Sequence, residues 1–243
     1  MFAWDVFVRD FVTKHGYTIF LEGLLNTVVI AVFGLIFGFI LGSFIAVIKV
    51  IPSKKKPVPI FFQKLADLYI TVFRGTPMAV QLLIIHFVLF PLIGLDIKNI
   101  VITPSFAIKG VVIEAIIAFA LNSAAYISEI MRGGINSVDI GQLEAGRAVG
   151  LSYGTTMVRI IIPQAFKNVL PTLGNEFIAL IKETSVTSFI AVVDLTKAFE
   201  NIAQSSYKYL IPYLMLALTY LILVIGISAL VKVWEKRLKK QQR

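Results

Sequence analysis

Six ionisable residues lie inside stretches that are otherwise apolar: Arg74, Glu114, Glu129, Glu176, Lys182 and Glu183. An ionisable group in a hydrophobic span is expensive unless it meets a water-filled cavity or a partner, so each is a candidate for contact with a polar ligand. At ~100° per residue, Glu114, Ala118, Leu121, Asn122, Ala125 and Glu129 share one helical sector, with small residues between polar ones. That pattern predicts a water-accessible face. Glu114 falls roughly 14 Å below the outer end of its stretch at ~1.5 Å per residue, near a bilayer midplane. A second stripe joins Asn168, Thr172, Asn175, Glu176, Ala179 and Glu183 at spacings of three or four. The competing reading is structural: Glu129 and Glu176 would pair with Arg132, Arg74 or Lys182 and hold helices together. Tyr126 and Phe119 read as packing residues, and His86 as a hydrogen-bonded helix residue.

Other chemistry is not encoded. The chain has no cysteine, and His15 and His86 are too far apart to suggest a metal cluster, so no metal site is expected. Ser128 and Glu129 are adjacent, but no base stands near to activate a hydroxyl, and no catalytic residue is assigned. Gly141 to Arg147 nearly fits a phosphate-binding loop of the GxxxxGK[ST] type. Arg147 replaces the lysine, Ala148 replaces the hydroxyl residue, and no strand precedes it, so the chain should bind no nucleotide itself.

The elements that must position these groups are membrane spans. Hydrophobic residues make up 58% of 243 and charged residues only 15%, against about 25% in soluble domains. The expected fold is an all-α, multi-pass transmembrane bundle of five spans, at about 24–50, 69–90, 105–131, 163–182 and 210–233. Residues 1–22 place Trp4, Phe7, Val8 and Phe11 at helical spacing and read as an external interfacial helix. Residues 23–233 form the membrane domain, with a loop at 132–162, and 234–243 form a basic tail. Lys and Arg number 15 in segments 49–64, 132–167 and 232–243, against 6 in the alternate segments. The positive-inside rule puts the N-terminus outside and the C-terminus in the cytoplasm. The net charge of +9 is therefore read as topogenic, with no nucleic acid as partner.

Local signals refine this layout. Three prolines in "PSKKKPVP" (52–59) predict a non-helical inner connection. Pro77 predicts a kink in the second span, with "RGTP" as an interfacial stub. Gly34, Gly38 and Gly42 form a stripe that lets another helix approach closely. There is no inverted internal repeat of the kind found in many secondary transporters.

The loop at 132–162 carries a short soluble helix. Asp139 is its expected N-cap, Gln142 completes a capping box, and Gly150 ends it. Ala145, Gly146 and Ala148 leave its surface nearly bare, as a knob for another protein's groove would be, with Glu144 and Arg147 at the rim. "EAGRAVGLSYGTTMVRIIIP" resembles the EAA loop of ABC importer permeases: Glu144, Ala145, Gly150, Ile160 and Pro163 match, while Gly146 and Ile162 depart from the usual alanine and leucine. "RGTPMAVQL", "LNSAAYISEIMRGGI" and "IKETSV" resemble the polar amino-acid uptake subgroup of these type I importers.

The resemblance implies a permease subunit of an ATP-driven amino-acid importer in a bacterial cell (inner or plasma) membrane. Two such subunits, identical or related, would line the pathway in the lipid bilayer. A dimer of cytoplasmic ABC ATPases would bind ATP and Mg, receive Glu144, Ala145, Gly146, Arg147 and Gly150 as the coupling helix, and move the permease. An external solute-binding protein would deliver cargo. Glu114, Asn122, Arg74, Glu183, Lys182 and Glu176 are the expected substrate contacts, with Glu114 meeting a cationic side chain. Acids exceed bases by two among the intramembrane charges, which favours a basic amino acid (arginine, lysine or histidine), with glutamine or another polar amino acid next. The alternative is an ion-coupled secondary transporter or channel that works without an ATPase.

Overall fold

The computed structural model describes residues 4–51, 57–103, 106–205 and 207–240. The chain is overwhelmingly helical. α1 (Trp4–Val8) passes through a π-helical turn into α2 (Gly16–Val50). α3 (Pro57–Gly75) and α4 (Met78–Ile84) follow, and α4 continues by a second π turn into the short α5 (Phe90–Leu92). A two-stranded antiparallel hairpin, β1 (Ile100–Thr103) and β2 (Phe106–Ile108), precedes α6 (Gly110–Asn136). Then come α7 (Ile140–Ala148), α8 (Tyr153–Thr156), α9 (Ile162–Glu183), α10 (Leu195–Gln204) and α11 (Leu210–Lys240).

Among the described residues, three helices are long and apolar enough to cross a membrane: α2, α6 and α11. α3 and α4–α5 form a pair bent by 109° that counts as a fourth only if the bent pair is one span. α9 has the length, at 22 residues, but Lys167, Glu176, Lys182 and Glu183 lower its apolarity.

The centre of the fold is α2 on α6. Gly34, Gly38 and Gly42 are all buried, as the stripe predicts. A Cβ on Gly38 would lie 2.8 Å from the Ser123 Cβ, and one on Gly42 would lie 2.7 Å from the Ala124 carbonyl oxygen, so only glycine permits this approach. Ile30, Ala31, Leu82, Val112, Phe119, Leu180 and Ile181 complete the main core. Phe119 is fully buried packing, as expected.

Four features differ from the sequence reading. Pro57 and Pro59 do not exclude a helix but open α3, because first-turn residues need no amide hydrogen for the helix ladder; Lys54–Lys56 lie outside the described residues. α2 begins at Gly16, so residues 16–22 continue the first long helix instead of lying apart from it. Phe7 is buried with Leu195, Phe199 and Ile202, so α1 docks on α10. Finally, the segment 183–208 is not a plain connection. It holds a 3₁₀ turn, Thr184–Ile190, and the amphipathic α10, whose Leu195, Ala198, Phe199, Ile202 and Ala203 face inward. Asn26 donates to the Val193 carbonyl at 2.8 Å and the Leu195 amide donates to the Thr27 hydroxyl at 3.2 Å, which fastens this segment to α2.

Candidate functional site

The soluble helix α7 has the boundaries its sequence encodes. The Asp139 carboxylate accepts from the Gly141 amide at 2.7 Å, satisfying one of the orphan donors of a helix N-terminus. Gln142 does not complete a capping box; its side-chain oxygen accepts from Gln164 instead. The C-terminus is a Schellman turn. The Gly150 amide donates to the Arg147 carbonyl and the Leu151 amide to the Gly146 carbonyl, both at 3.0 Å. Gly150 has φ +86, a conformation that side chains with a Cβ rarely adopt.

Gly146 is buried, unlike its neighbours. A Cβ there would lie 2.5 Å from Thr156 Cγ2. Glycine in place of the usual alanine is thus explained by the packing of α7 on α8, not by the free surface. Glu144, Ala145, Arg147 and Ala148 are exposed, and so are two large apolar residues at the ends, Ile140 at 68% and Val149 at 77%. The sequence reading passed over both; an isolated apolar residue at each end of a nine-residue helix has no periodic signature. Leu143 packs with Ile135, Ile161 and Ala165, and the Tyr153 hydroxyl donates to the Val50 carbonyl at 3.2 Å. Burial pushes the Tyr153 phenol up from its ordinary range. α7 therefore rests on α8 and on the π turn Met157–Ile161 that leads into α9, with Leu143 against a cluster that includes Ile135 of α6, while α8 reaches α2 through Tyr153, so a displacement of α7 is passed to the long helices through these contacts.

In the membrane region the α6 sector is not open. Ala118 and Ala125 have no exposure and Asn122 only 3%. The small residues that suggested a water-lined face let α3 and α4 approach instead. The Tyr69 hydroxyl donates to the Leu121 carbonyl. Asn122 donates to the Gln81 side-chain oxygen at 2.8 Å and to the Phe73 carbonyl at 3.3 Å. Gln81 donates in turn to the carbonyls of Phe73 (2.7 Å) and Thr76 (3.0 Å). These carbonyls end α3, where no further helical amides follow to bond them, so Gln81 and Asn122 together clamp the bend. Pro77, at the break, accepts from the Val80 and Gln81 amides and starts α4.

The charges sort into three groups. At the end of the bundle where α2 and α6 finish, Glu129 accepts from Arg132 (2.6 Å) and Lys49 (2.7 Å), and Lys49 also meets Asp67 at 3.0 Å. This joins α2, α3 and α6. Further out, Glu114 is paired with His86 of the π turn after α4. The sequence reading gave His86 no charged partner; nothing local in the chain links positions 28 residues apart. The third group is open. Arg74 is exposed on the bend with its guanidinium 5.3 Å from the centre of the Tyr126 ring, so Tyr126 makes a cation–π contact with Arg74 besides packing. Glu176 lies within electrostatic reach of Arg74 and Glu183. Along α9, Asn168, Thr172, Asn175, Lys182 and Glu183 are exposed, with Glu176 and Ala179 half-buried. Arg74, Glu176, Lys182 and Glu183 thus gather on one side of the bundle, while Glu114 and Asn122 are committed to partners behind it.

At the start of α10, Asp194 is fully buried and caps the helix, its carboxylate accepting from the Lys197 amide at 2.9 Å. Burial pushes its carboxyl up to about 6. Among the described residues no group of histidine, cysteine or carboxylate side chains could hold a metal ion.

Residues 58–240 match the family described as binding-protein-dependent transport system inner membrane component. The chain belongs to this family. The arginine transport system permease protein ArtQ of Bacillus subtilis (strain 168) is 39% identical over 219 residues, covering 90% of this chain and 92% of that protein. A putative glutamine transport system permease protein, GlnP of Rickettsia bellii (strain RML369-C), is also 39% identical, over 89% of this chain and 91% of its own length. The crystal structure of an amino acid ABC transporter with histidines superposes with a TM-score of 0.77 at 36% identity, covering 93% of this chain and 98% of that one. This permease is accordingly a multi-pass protein of the bacterial inner membrane with the fold of type I ABC importer permeases. It is a transport subunit, and α7 occupies the segment that carries the EAA-like sequence.

Proposed function

We propose that this permease is the translocation subunit of an ATP-driven importer whose cargo is a basic amino acid, arginine first, with glutamine next. The observation that carries the coupling half of this reading is α7: a capped helix, packed on α8, whose Ile140, Ala145 and Val149 side chains are exposed. Such a surface fits the cleft of a cytoplasmic ABC ATPase, two of which would bind ATP and Mg. The tight turn at Gly150 fixes the knob's shape. With the basic segments inside, α7 lies in the cytoplasm, the N-terminus outside, and the external face meets a solute-binding protein.

The cargo half rests on α9. An exposed polar stripe on a membrane helix needs water or protein opposite it, and a second permease copy, identical or related, supplies both by enclosing a pathway. Arg74 and Lys182 would meet the cargo carboxylate, and Glu176 and Glu183 its ammonium and cationic side chain. Pairing alters the charge balance read from the sequence. Glu129 and Glu114 have partners, which leaves two acids and two bases on the open side. The preference for a basic cargo therefore rests on the α9 acids and on the arginine and histidine named for two similar proteins. Glu114 and Asn122 act from behind, positioning the α4–α6 wall.

Reconstituted with its ATPase and binding protein, the Glu176→Gln and Glu183→Gln variants should lose stimulation of hydrolysis by arginine more than by glutamine. Glu114→Gln should lower both alike. A larger arginine-specific loss at Glu114 would place the cation there and remove α9 from that role. Uptake that persists without any ATPase would favour the ion-coupled alternative.

A further inference from the structure

α2, α9 and α11 enclose a groove of about 520 Å³ on the side of the molecule away from the polar stripe. Its walls include Phe39, Phe166, Leu170, Phe177, Ile227 and Trp234. Phe39 and Phe166 meet edge to face at 5.7 Å and form the floor near the inner end. The groove spans 32–40 of α2, 166–177 of α9 and 227–235 of α11. At ~1.5 Å per residue these are about 12–17 Å long, half of a ~30 Å hydrocarbon core. The groove therefore has the depth of one leaflet.

Periodicity fixes which way it faces. On α9 the groove residues 166, 170, 173 and 177 lie opposite Thr172, Asn175, Ala179 and Glu183. On α2 the groove residues lie opposite Gly34, Gly38 and Gly42, which are spent on α6. The groove thus backs onto the bundle and opens toward hydrocarbon. Charge complements this geometry. By the same periodicity Lys167 on α9 and Arg237 on α11, both exposed, flank the inner end of the groove, against one acid among the lining residues, Glu235, while Lys232 and Lys236 lie on the far face of α11. Trp234, 67% exposed, stands at the level where indole rings favour the membrane interface.

We propose that this groove is a binding site for an anionic phospholipid of the inner leaflet, with one acyl chain along Phe166–Phe177 and the headgroup between Lys167 and Arg237. A headgroup phosphate there would draw on that basic pair, and the three-walled groove holds a chain more firmly than the open surface of α11. Because the groove touches both α9 and α11, its occupant braces the back of the helix that carries the polar stripe.

The test is photolabelling of the assembled transporter in nanodiscs with phosphatidylglycerol bearing a diazirine at the end of one acyl chain. Adducts should map to 166–177 and 227–235 and be displaced by unlabelled phosphatidylglycerol better than by phosphatidylcholine. Replacing Lys167 and Arg237 with Gln should weaken that preference about fivefold for each side chain. Ile36→Trp and Leu230→Trp, on opposite walls, should remove the adducts while the complex still assembles; Leu218→Trp, on another part of α11, should not. Adducts spread evenly over α11 and indifferent to the groove variants would mean annular lipid only and overturn the site. So would an unlabelled groove whose variants separate two permease copies, which would make this face a subunit interface.

Discussion

Gly146 and Gly150 sit four residues apart and are glycine for different reasons. At Gly146 there is no room for a Cβ beside Thr156; at Gly150 there is open space but φ is +86. Gly150→Val should strain the turn by about 1–2 kcal/mol and misalign the end of α7. The expected result is a protein that reaches the membrane at near-normal level with cargo-stimulated hydrolysis largely lost; normal stimulation would show that the turn is not part of the docking surface. Asp194 gives a pH dependence at the same scale. Its carboxyl is raised from the ordinary 3.8 to about 6 by burial. A raised acid contributes its stability in the protonated form, so the contribution is full below about pH 4 and lost as pH rises through 6. The difference in melting temperature between wild type and Asp194→Asn in detergent should shift against the wild type across that window. A flat difference would mean the buried carboxyl does not titrate there. Residues of this kind were partly legible. Asp139 and Gly150 announce the ends of α7 by type and spacing, whereas the buried state of Asp194 depends on α2, far off in the chain.

At the scale of elements, local chemistry fixed the long helices and left their joints unread. The glycine stripe of α2 and the apolar runs of α2, α6 and α11 are continuous signals, and the structure places helices there. The bend between α3 and α4 is less visible, because Pro77 says that a helix breaks but not by what angle. The 109° geometry is held by Gln81 and Asn122, which come from different helices. α10 was missed since its inward residues oppose α1 and α2, and ten residues carry too few turns to stand out beside longer apolar runs. Gln81→Ala removes the donor to two end-of-helix carbonyls and leaves Asn122 short of an acceptor. Each buried polar group so orphaned costs about 1–3 kcal/mol. The expected outcome is a lower melting temperature together with new proteolytic sensitivity near Arg74. A variant with unchanged stability would mean the bend is held by packing alone.

For the whole molecule, the proposal gives two working surfaces joined by long helices. α7 is backed by α8 and by the π turn that leads into α9, and α9 carries the exposed polar stripe. A push on α7 therefore reaches the stripe through one continuous helix and the cluster around Ile135, Ile161 and Ala165. The membrane-embedded charges were legible as unusual but not as partners: Glu129 and Glu114 look alike in the chain, yet one clamps three helices and the other holds a histidine. On the proposed reading, uphill movement is driven by a separate motor acting at α7. The direct measurement is arginine accumulation against its gradient in proteoliposomes containing the permease and binding protein, with and without the ATPase subunits and ATP. The account predicts accumulation only when ATPase and ATP are both present, and its loss when Val149 is replaced by Asp; accumulation by the permease without the ATPase would contradict it.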